Sequence, residues 1–333
     1  MSPLPIALTM GDPAGAGGDI TLKAWLKRGA DTAPFFIIDD IEHLKALAAR
    51  LKLDVPIQAI DSPAQAAAIF STALPVLHRA LAVTAIPGQP DSANAQATIA
   101  SIETAVALVK DGQASAVVTN PIAKDVLYGA GFTFPGHTEF LAHLSGPDVT
   151  PVMMLACEQL RVVLATVHVS VMDAVKTLNA DTICAVARIT NAALKRDFAI
   201  ANPTIAVAGL NPHAGEGGAM GREEINTIQP AIERLQGEGI NAVGPYPPDT
   251  MFTSTALPTY DAALCMYHDQ GLIPIKTLDF ERGVNVTLGL PFVRTSPDHG
   301  TAFDIAGTGK ASELSLMAAL NMAAKMALSR GSA

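Results

Sequence analysis

The sequence predicts an α/β protein in which a mostly parallel β-sheet carries helices on both faces. Short apolar runs of strand length alternate with longer segments whose apolar residues recur at helical spacing, the pattern of repeated βαβ units. The chain has 333 residues, a length that suggests two domains. Hydrophobic residues make up 49% of it and charged residues 16%, so each domain can bury a large core.

The predicted strands follow the chain in order, and each leads into a loop rich in Gly, Pro, His or Asp. They are residues 4–8, 34–38, 114–118, 162–167, 204–208 and 262–266. The clearest helix begins near Thr98 and ends before Gly112, because apolar residues recur there every three or four positions. A long helix rich in Ala and Met, about 312–328, closes the chain.

Charge and cysteine content exclude several classes of function. The 31 acidic residues exceed the 22 Lys and Arg, and the net charge of -9 gives no general attraction for nucleic acid or anionic membranes. Three widely spaced cysteines fit neither a disulfide framework nor a CxxC metal site. The N-terminus has no basic segment before its apolar run, and no long uncharged apolar run occurs. We expect a cytoplasmic protein that binds neither nucleic acid nor membrane.

Three of the eight histidines lie beyond predicted strands. His168, His213 and His268 follow the runs that end near 167, 208 and 266. The carboxyl ends of parallel strands meet at one edge of an open sheet, where ligands bind. Three neutral imidazoles suit a catalytic divalent metal, with zinc favoured and Mg or Co as alternatives. Their spacing matches no short metal motif, so a hydrogen-bonded structural role for each is the competing interpretation.

Two acidic residues close to these histidines are candidates for proton transfer. Asp269 directly follows His268, and Asp249 lies in the proline-rich segment 244–250. Either carboxylate could support a metal ligand or accept a proton. The alternative is that both aspartates cap the turn or helix that follows them.

Basic and polar residues in apolar surroundings indicate an anion pocket. Lys276, Asn285 and Arg294 lie within or just after two apolar stretches, 272–275 and 284–293. A Lys point charge and an Arg fork both suit phosphate or carboxylate. The alternative interpretation is that these three residues lie on solvent-exposed faces of the protein. Their apolar neighbours in the sequence argue against this alternative.

A helix start offers a second place for an anion. His137 and Thr138 follow a Pro-Gly pair and precede a helical pattern, with Thr138 expected near the cap. Free backbone N–H groups and an imidazole would face an anion there, unless they serve simple capping. The Gly-rich segments 15–20 and 215–221 lack the third glycine of GxGxxG, so no Rossmann fingerprint is present.

Seven segments occur together in a characteristic order along nearly the whole chain. They are MGDPAG (10–15), TNPIAK (119–124), PGHTEFLA (135–142), NPHAGEGG (211–218), GPYPPDTMF (244–252), YHDQGLIPIK (267–276) and GVNVTLGLPFVRTSPDHGTAFDIAG (283–307). In these segments the sequence resembles the 4-hydroxythreonine-4-phosphate dehydrogenases of vitamin B6 biosynthesis.

The resemblance implies a fold similar to that of isocitrate and isopropylmalate dehydrogenases: two α/β/α domains around a central cleft, with the dinucleotide bound outside the Rossmann scheme. We expect a discontinuous first domain, 1–130 plus 285–333, and a second domain, 131–284, with most metal and substrate residues. The resemblance also implies a homodimer whose metal site is shared across the interface, with His268 reaching across it.

Specific roles follow from the same resemblance. The metal ligands are His168, His213 and His268. The residues that bind the small phosphorylated hydroxy-amino-acid substrate are His137, Thr138, Lys276, Asn285 and Arg294. The cofactor, NAD or NADP, is expected near His299, Gly300 and Asp304. The candidates for the catalytic base are Asp249, Asp269 and Lys276.

The implied reaction is metal-dependent oxidation of 4-phosphohydroxy-L-threonine at C3, followed by decarboxylation to 3-amino-1-hydroxyacetone phosphate, a step of pyridoxal 5'-phosphate biosynthesis. One loop departs from the family pattern GDPAGIGPE, since Ala16, Gly18 and Asp19 replace its Ile, Pro and Glu. Relatives oxidise 4-phospho-D-threonate, 4-phospho-D-erythronate or the cis-dihydrodiol of terephthalate. A different class of enzyme is the remaining alternative: a metal-dependent lyase or hydrolase that would use the three histidines without a dinucleotide.

Overall fold

The computed structural model describes residues 4–331 and confirms the α/β prediction. The strands within this range are β1 (Ile6–Thr9), β2 (Phe35–Asp39), β3 (Ile57–Ile60), β4 (Leu74–His78), β5 (Val117–Thr119), β6 (Val152–Ala156), β7 (Arg161–Leu164), β8 (Thr204–Ala208), β9 (Asn241–Tyr246), β10 (Ala262–Cys265), β11 (Val284–Leu288) and β12 (Arg294–Pro297).

The α-helices of the same range alternate with these strands over much of the chain. They are α1 (Gly17–Leu26), α2 (Ile41–Leu51), α3 (Ala66–Ile69), α4 (Ala95–Lys110), α5 (Lys124–Tyr128), α6 (His137–Ser145), α7 (Val171–Thr177), α8 (Ala180–Phe198), α9 (Gln229–Gly237), α10 (Pro248–Met251), α11 (His268–Leu278) and α12 (Leu314–Gly331). A π-helical turn, Glu224–Ile228, leads directly into α9. Of the helices between residues 4 and 331, none has the length and apolar character needed to cross a bilayer.

All six predicted strands are present, and 204–208 is exact as β8. The largest difference at a carboxyl end is in β7, which stops at Leu164 although the apolar run continues to 167. Beyond it the chain leaves the ladder, and the Thr166 hydroxyl donates to the Met266 carbonyl at 2.7 Å. The apolar run therefore covers a strand and the start of its loop. Both predicted helices are confirmed as α4 and α12.

The chain divides into two compact units. Within the described residues, the first unit comprises residues 4–149 together with Leu290–Leu328, and the second comprises Thr150–Gly289 and residues 329–331. The domain limits predicted from the sequence lie at 130 and 284. Strand β11, predicted for the first domain, lies in the second unit, because it pairs with β6 over its whole length.

The sheet of the first unit is parallel throughout, in the order β3-β4-β2-β1-β5-β12. Its central strand β1 is buried at every residue, as expected for a parallel strand covered on both faces. Helix α4 is tied to it through Ser101, whose hydroxyl accepts the Met10 N–H at 3.1 Å and donates to the Ile38 carbonyl at 2.8 Å. These bonds fix α4 against the carboxyl ends of β1 and β2.

The sheet of the second unit is mixed, in the order β11-β6-β7-β10-β8-β9. Strand β6 is antiparallel to both of its neighbours. Strands β7, β10, β8 and β9 are parallel to one another. Three adjacent strands, β7, β10 and β8, therefore end at the same edge, and the loops that follow them start there.

The first unit buries a carboxyl group at the end of β2. Asp39 is 1% exposed, and its Oδ1 accepts the Asp40 N–H at 2.7 Å. Burial raises the pKa of Asp39 from 3.8 to about 8, since this one hydrogen bond offsets little of the lost hydration and the Asp40 carboxylate repels a second charge. Asp39 is therefore protonated in the folded protein over most of the neutral range.

We expect Asp39→Asn to stabilise the protein increasingly as the pH rises from 4 to 8. In the wild type, Asp39 ionises near pH 4 when unfolded but only near pH 8 when folded, so stability falls through this window. Asn keeps the acceptor for the Asp40 N–H and does not titrate. Urea denaturation should give a gain on the order of 5 kcal/mol at pH 8 and little at pH 4. The matched control is Asp111→Asn, at an exposed site after α4. An equal effect of Asp39→Asn at both pH values would contradict a protonated Asp39.

Candidate functional site

The three strand-end histidines follow adjacent strands of the second unit. Strand β10 lies between β7 and β8, so the loops that carry His168, His268 and His213 leave the sheet at one edge. His168 lies in the loop after β7, and His268 is the first residue of α11. The prediction that all three follow parallel neighbours is confirmed by the strand order.

His168 and His268 lie side by side. Their ring centroids are 5.7 Å apart and the ring planes are inclined by 43°. Both line a cavity of about 230 Å³, with Val167, Val169, Val171, Tyr267 and Asp269 completing its wall. Nδ1 of His268 is 2.7 Å from Oδ1 of Asp269, which leaves Nε2 for a ligand. A carboxylate on the second ring nitrogen is the usual support of a metal-binding histidine.

His213 lies in a left-handed turn. The segment from His213 to Gly217 has positive φ at each of its five residues, beginning with φ 53° and ψ 29° at His213 itself. Glu224 packs against this turn. Burial alone would raise the pKa of Glu224, but hydrogen bonds from Asn211 and Leu210 lower it below its ordinary value, so the carboxylate is charged.

The three histidines do not form a complete metal centre within one chain. Among the His, Cys, Asp and Glu of residues 4–331, no group of three or more has an arrangement that would hold a metal ion. The structure brings His168 and His268 together and places His213 on the neighbouring loop. Two imidazoles on one cavity wall, one of them held by a carboxylate, nevertheless have the chemistry that zinc and similar cations take as donors.

The first unit buries a positive charge at Arg294. This residue begins β12, is 3% exposed, and donates from a terminal guanidinium nitrogen to the Thr119 hydroxyl at 2.6 Å. Burial lowers the pKa of Arg294 to about 10, and the Glu139 carboxylate opposes that shift. The guanidinium is therefore charged at neutral pH. A buried fork of N–H donors with this charge suits a phosphate or carboxylate.

His137 presents a neutral imidazole close to Arg294. Its Nε2 is buried and has no hydrogen-bond partner among the residues that the structure describes. Burial, followed by the charges of Arg294 and Lys124, lowers the pKa of His137 well below its usual value. The expected helix start is present: α6 begins at His137 and Thr138 lies near the cap. The N-cap itself is Gly136, which has no side chain to cap the first N–H groups.

Lys124 is a site residue that the sequence reasoning missed. A Cβ at position 136 would lie 3.6 Å from Nζ of Lys124, so the ammonium group stands beside the start of α6. A cation at a helix N-terminus is unfavourable by itself, because that end of the helix is already positive. In the sequence, Lys124 is the last residue of the TNPIAK segment (119–124), which begins at the carboxyl end of β5. Its position after a strand end could have identified Lys124.

The remaining predicted residues fall in different settings. Lys276 lies in the last turn of α11, with Nζ 5.6 Å from the ring centre of Phe280. Asn285 lies on β11, opposite Leu155 of β6. Both belong to the second unit, whereas Arg294 belongs to the first.

Neither candidate aspartate caps a helix. Asp249 is exposed in the first turn of α10, whose N-cap is Pro247. Asp269 lies in the first turn of α11 and contacts His268 instead. The capping interpretation is therefore wrong for both, because the residue before each helix occupies the cap position.

The segment predicted for the cofactor is an exposed loop of the first unit after β12. His299 and Gly300 are exposed, with Nδ1 of His299 2.9 Å from the Gly300 carbonyl, and Asp304 is exposed as well. The loop is anchored further on, where the buried Asp19 carboxylate accepts the Gly307 N–H at 2.9 Å. The departure from the family pattern at position 19 thus lies against this loop.

The comparisons with known proteins agree along the whole chain. The model of the family described as pyridoxal phosphate biosynthetic protein PdxA matches residues 31–323. A 4-hydroxythreonine-4-phosphate dehydrogenase of Bradyrhizobium diazoefficiens is 53% identical, covering 98% of this chain and 98% of the relative. That of Xanthobacter autotrophicus is 51% identical, covering 98% and 95%.

Solved structures give the same result. The crystal structure of 4-hydroxythreonine-4-phosphate dehydrogenase from Klebsiella pneumoniae has a TM-score of 0.88 at 38% identity and covers 97% of this chain and 99% of that one. A terephthalate 1,2-cis-dihydrodiol dehydrogenase from Burkholderia xenovorans reaches a TM-score of 0.66 at 29% identity, covering 97% and 98%.

Lys124→Met should raise the pKa of His137, since it removes one of the two positive charges that act on the imidazole. The rise is partial, because burial and Arg294 remain. The measurement is a pH titration of the histidine side-chain NMR signals, with His137 assigned through His137→Gln. Lys110→Met, at the end of α4, is the control. An unchanged His137 titration in Lys124→Met would rule out the contact between the two groups.

Proposed function

Since this chain belongs to the PdxA family of 4-hydroxythreonine-4-phosphate dehydrogenases, oxidoreductases of pyridoxal phosphate biosynthesis, we propose that it oxidises 4-phosphohydroxy-L-threonine at C3 with NAD or NADP. The product, 2-amino-3-oxo-4-phosphooxybutanoate, is a β-keto acid that loses carbon dioxide to give 3-amino-1-hydroxyacetone phosphate. The observation that carries the proposal is 53% identity to a dehydrogenase of this activity over 98% of both chains.

Each unit contributes its own set of groups for the substrate. In the first unit, Arg294 supplies a charged fork, and the start of α6 supplies His137, Thr138 and uncapped N–H groups. In the second unit, Lys276 and Asn285 supply a further cation and an amide. We assign these five residues to the phosphate and carboxylate of the substrate, whose fixed position directs the C3 hydrogen toward the cofactor.

His168, His213 and His268 would hold a divalent metal, with zinc favoured and Mg or Co as alternatives. When bound, the metal supplies Lewis-acid chemistry to the substrate hydroxyl and the product carbonyl. Asp269 holds Nδ1 of His268 and so directs Nε2 toward the ligand.

We propose that the enzyme is a homodimer whose metal site is shared across the interface, with His268 reaching across it. A shared site agrees with the finding that residues 4–331 of one chain hold no complete group of three ligands. Exposed apolar side chains support this assembly. Val171, which lines the cavity with the two histidines, is 65% exposed, and its neighbour in sequence Met172 is 62% exposed. A cytoplasmic location agrees with cysteines 157, 184 and 265, all of which are buried free thiols.

Three residues are candidates to take the proton from the C3 hydroxyl. They are Asp249, Lys276 and Asp269, of which Asp269 is already engaged with His268. This contact favours a positioning role for Asp269.

The dinucleotide is assigned to the exposed loop that contains His299, Gly300 and Asp304. When bound, the cofactor supplies the hydride acceptor, while the chain supplies position. Asp19 holds this loop at Gly307, and Lys23 donates to the carbonyls of Gly309 and Ala311 at 2.6 Å each. The loop is therefore fixed to α1 at its far end and free to meet a ligand at its exposed start.

The proposal is tested by absorbance at the NADH band after mixing protein, NAD and 4-phosphohydroxy-L-threonine, with and without a chelator. We expect reduction that the chelator abolishes and that His268→Ala loses without unfolding. Parallel reactions contain 4-phospho-D-threonate, 4-phospho-D-erythronate and the terephthalate cis-dihydrodiol. Faster reduction with one of these would keep the dehydrogenase class and change the substrate. Product formation without nicotinamide reduction would instead indicate a lyase or hydrolase.

Arg294→Lys should raise the KM for the phosphorylated substrate by about 10-fold or more, because an ammonium group cannot reproduce two parallel N–H donors. The matched control is Arg79→Lys, since Arg79 donates to the Thr104 hydroxyl at 3.1 Å but is exposed. Steady-state kinetics and circular dichroism are compared for both variants. An unchanged KM in a folded Arg294→Lys enzyme would argue against anion binding at this residue.

A further inference from the structure

The turn that carries His213 has an unfavourable backbone conformation. Besides its glycines, it holds His213, Ala214 and Glu216 at φ values of 53°, 51° and 44°. Residues with a Cβ rarely adopt this left-handed region, and a run of them does not persist unless the surroundings enforce it. The geometry at His213 therefore depends on contacts from outside the turn.

Glu224 supplies those contacts. It is 3% exposed, and its Oε1 accepts the N–H groups of Leu210 and Asn211 at 2.7 Å each. Its Oε2 accepts from Nδ2 of Asn211 at 2.9 Å. A Cβ at Gly215 would lie only 2.6 Å from Oε2, so the turn packs directly on the carboxylate. The Glu224 side chain thus contacts the turn both where it begins, at Leu210 and Asn211, and at its middle, at Gly215.

The local fold around Glu224 explains how its side chain reaches the turn. Glu224 begins the π-helical turn Glu224–Ile228, in which the wider winding turns side chains away from the α-helical direction. Such turns occur mostly at functional sites. Glu224 lies at the start of this wider turn, and its carboxylate reaches the loop after β8 at Leu210 and Asn211.

We propose that Glu224 is a positioning residue for the metal site, acting through the left-handed turn to fix the imidazole of His213. The inference rests on the proposed role of His213 as a metal ligand. Glu224 does not itself coordinate the ion, because Oε1 is occupied by two backbone N–H groups and Oε2 by the Asn211 amide. Its effect on metal affinity passes through His213.

The test is calorimetric titration of zinc chloride into the chelator-treated, full-length protein. Glu224→Gln keeps an oxygen acceptor for the two backbone N–H groups and loses the charge, and Glu224→Ala loses both. We expect zinc affinity to fall by about 10- to 100-fold in Glu224→Ala and by less in Glu224→Gln, the range found for residues that orient metal ligands. Glu233→Ala, at an exposed glutamate of α9, is the matched control and should bind as the wild type does.

A double-mutant cycle separates positioning from general stability. If Glu224 acts through His213, then Glu224→Gln costs no further zinc affinity in a His213→Ala background. An equal loss in both backgrounds, or wild-type affinity in folded Glu224→Gln and Glu224→Ala, would overturn the role of Glu224 alone. Absence of zinc binding in the wild type would overturn the metal site and this inference with it.

Discussion

The parallel pairing of β10 with both β7 and β8 is the constraint on which the candidate metal site depends. The residues of β10 are completely buried, so no side chain on that strand can serve a solvent-borne ligand. The chemistry is therefore expected in the loops at the carboxyl ends of these strands, and those loops carry His168, His268 and His213. The strand order determines which loops are neighbours. His268 is positioned as the first residue of α11, and His213 as part of the left-handed turn.

In the first unit the decisive interaction is electrostatic. Arg294, Lys124 and the start of α6 place positive charge and donors around His137. Burial lowers the pKa of both His137 and Arg294, and the charges of Arg294 and Lys124 lower that of His137 further. A bound anion would supply a counter-charge to the buried guanidinium. The arrangement suits a substrate that carries a phosphate or a carboxylate group.

Sequence periodicity predicted the strands that place the histidines, because fully buried parallel strands are continuous apolar runs. The other strands of the described residues, β3, β4, β6, β9, β11 and β12, were not predicted. In β9, Gly244 and Pro245 interrupt the apolar run. The left-handed conformation of His213 was also beyond reach: it is enforced by a hydrogen-bond acceptor, Glu224, whose approach depends on a π-helical turn. The periodicity of apolar residues carries no information about such a contact. The glycines of NPHAGEGG (211–218) indicate only that a turn with positive φ is present there.

Asp19, one of the residues that depart from the family pattern, makes a structural contact with the loop at Gly307. Taken from the sequence, Asp in place of Glu beside the first loop bears on fine substrate specificity. In the structure its carboxylate is fully buried and accepts the Gly307 N–H, and burial raises its pKa despite that bond and the nearby Lys23 and Arg50 charges. Arg50 also donates to the Gly307 carbonyl at 3.0 Å. Both backbone polar groups of Gly307 are thus held by side chains of α1 and α2. The residue at position 19 therefore takes part in anchoring the loop that we propose for the dinucleotide.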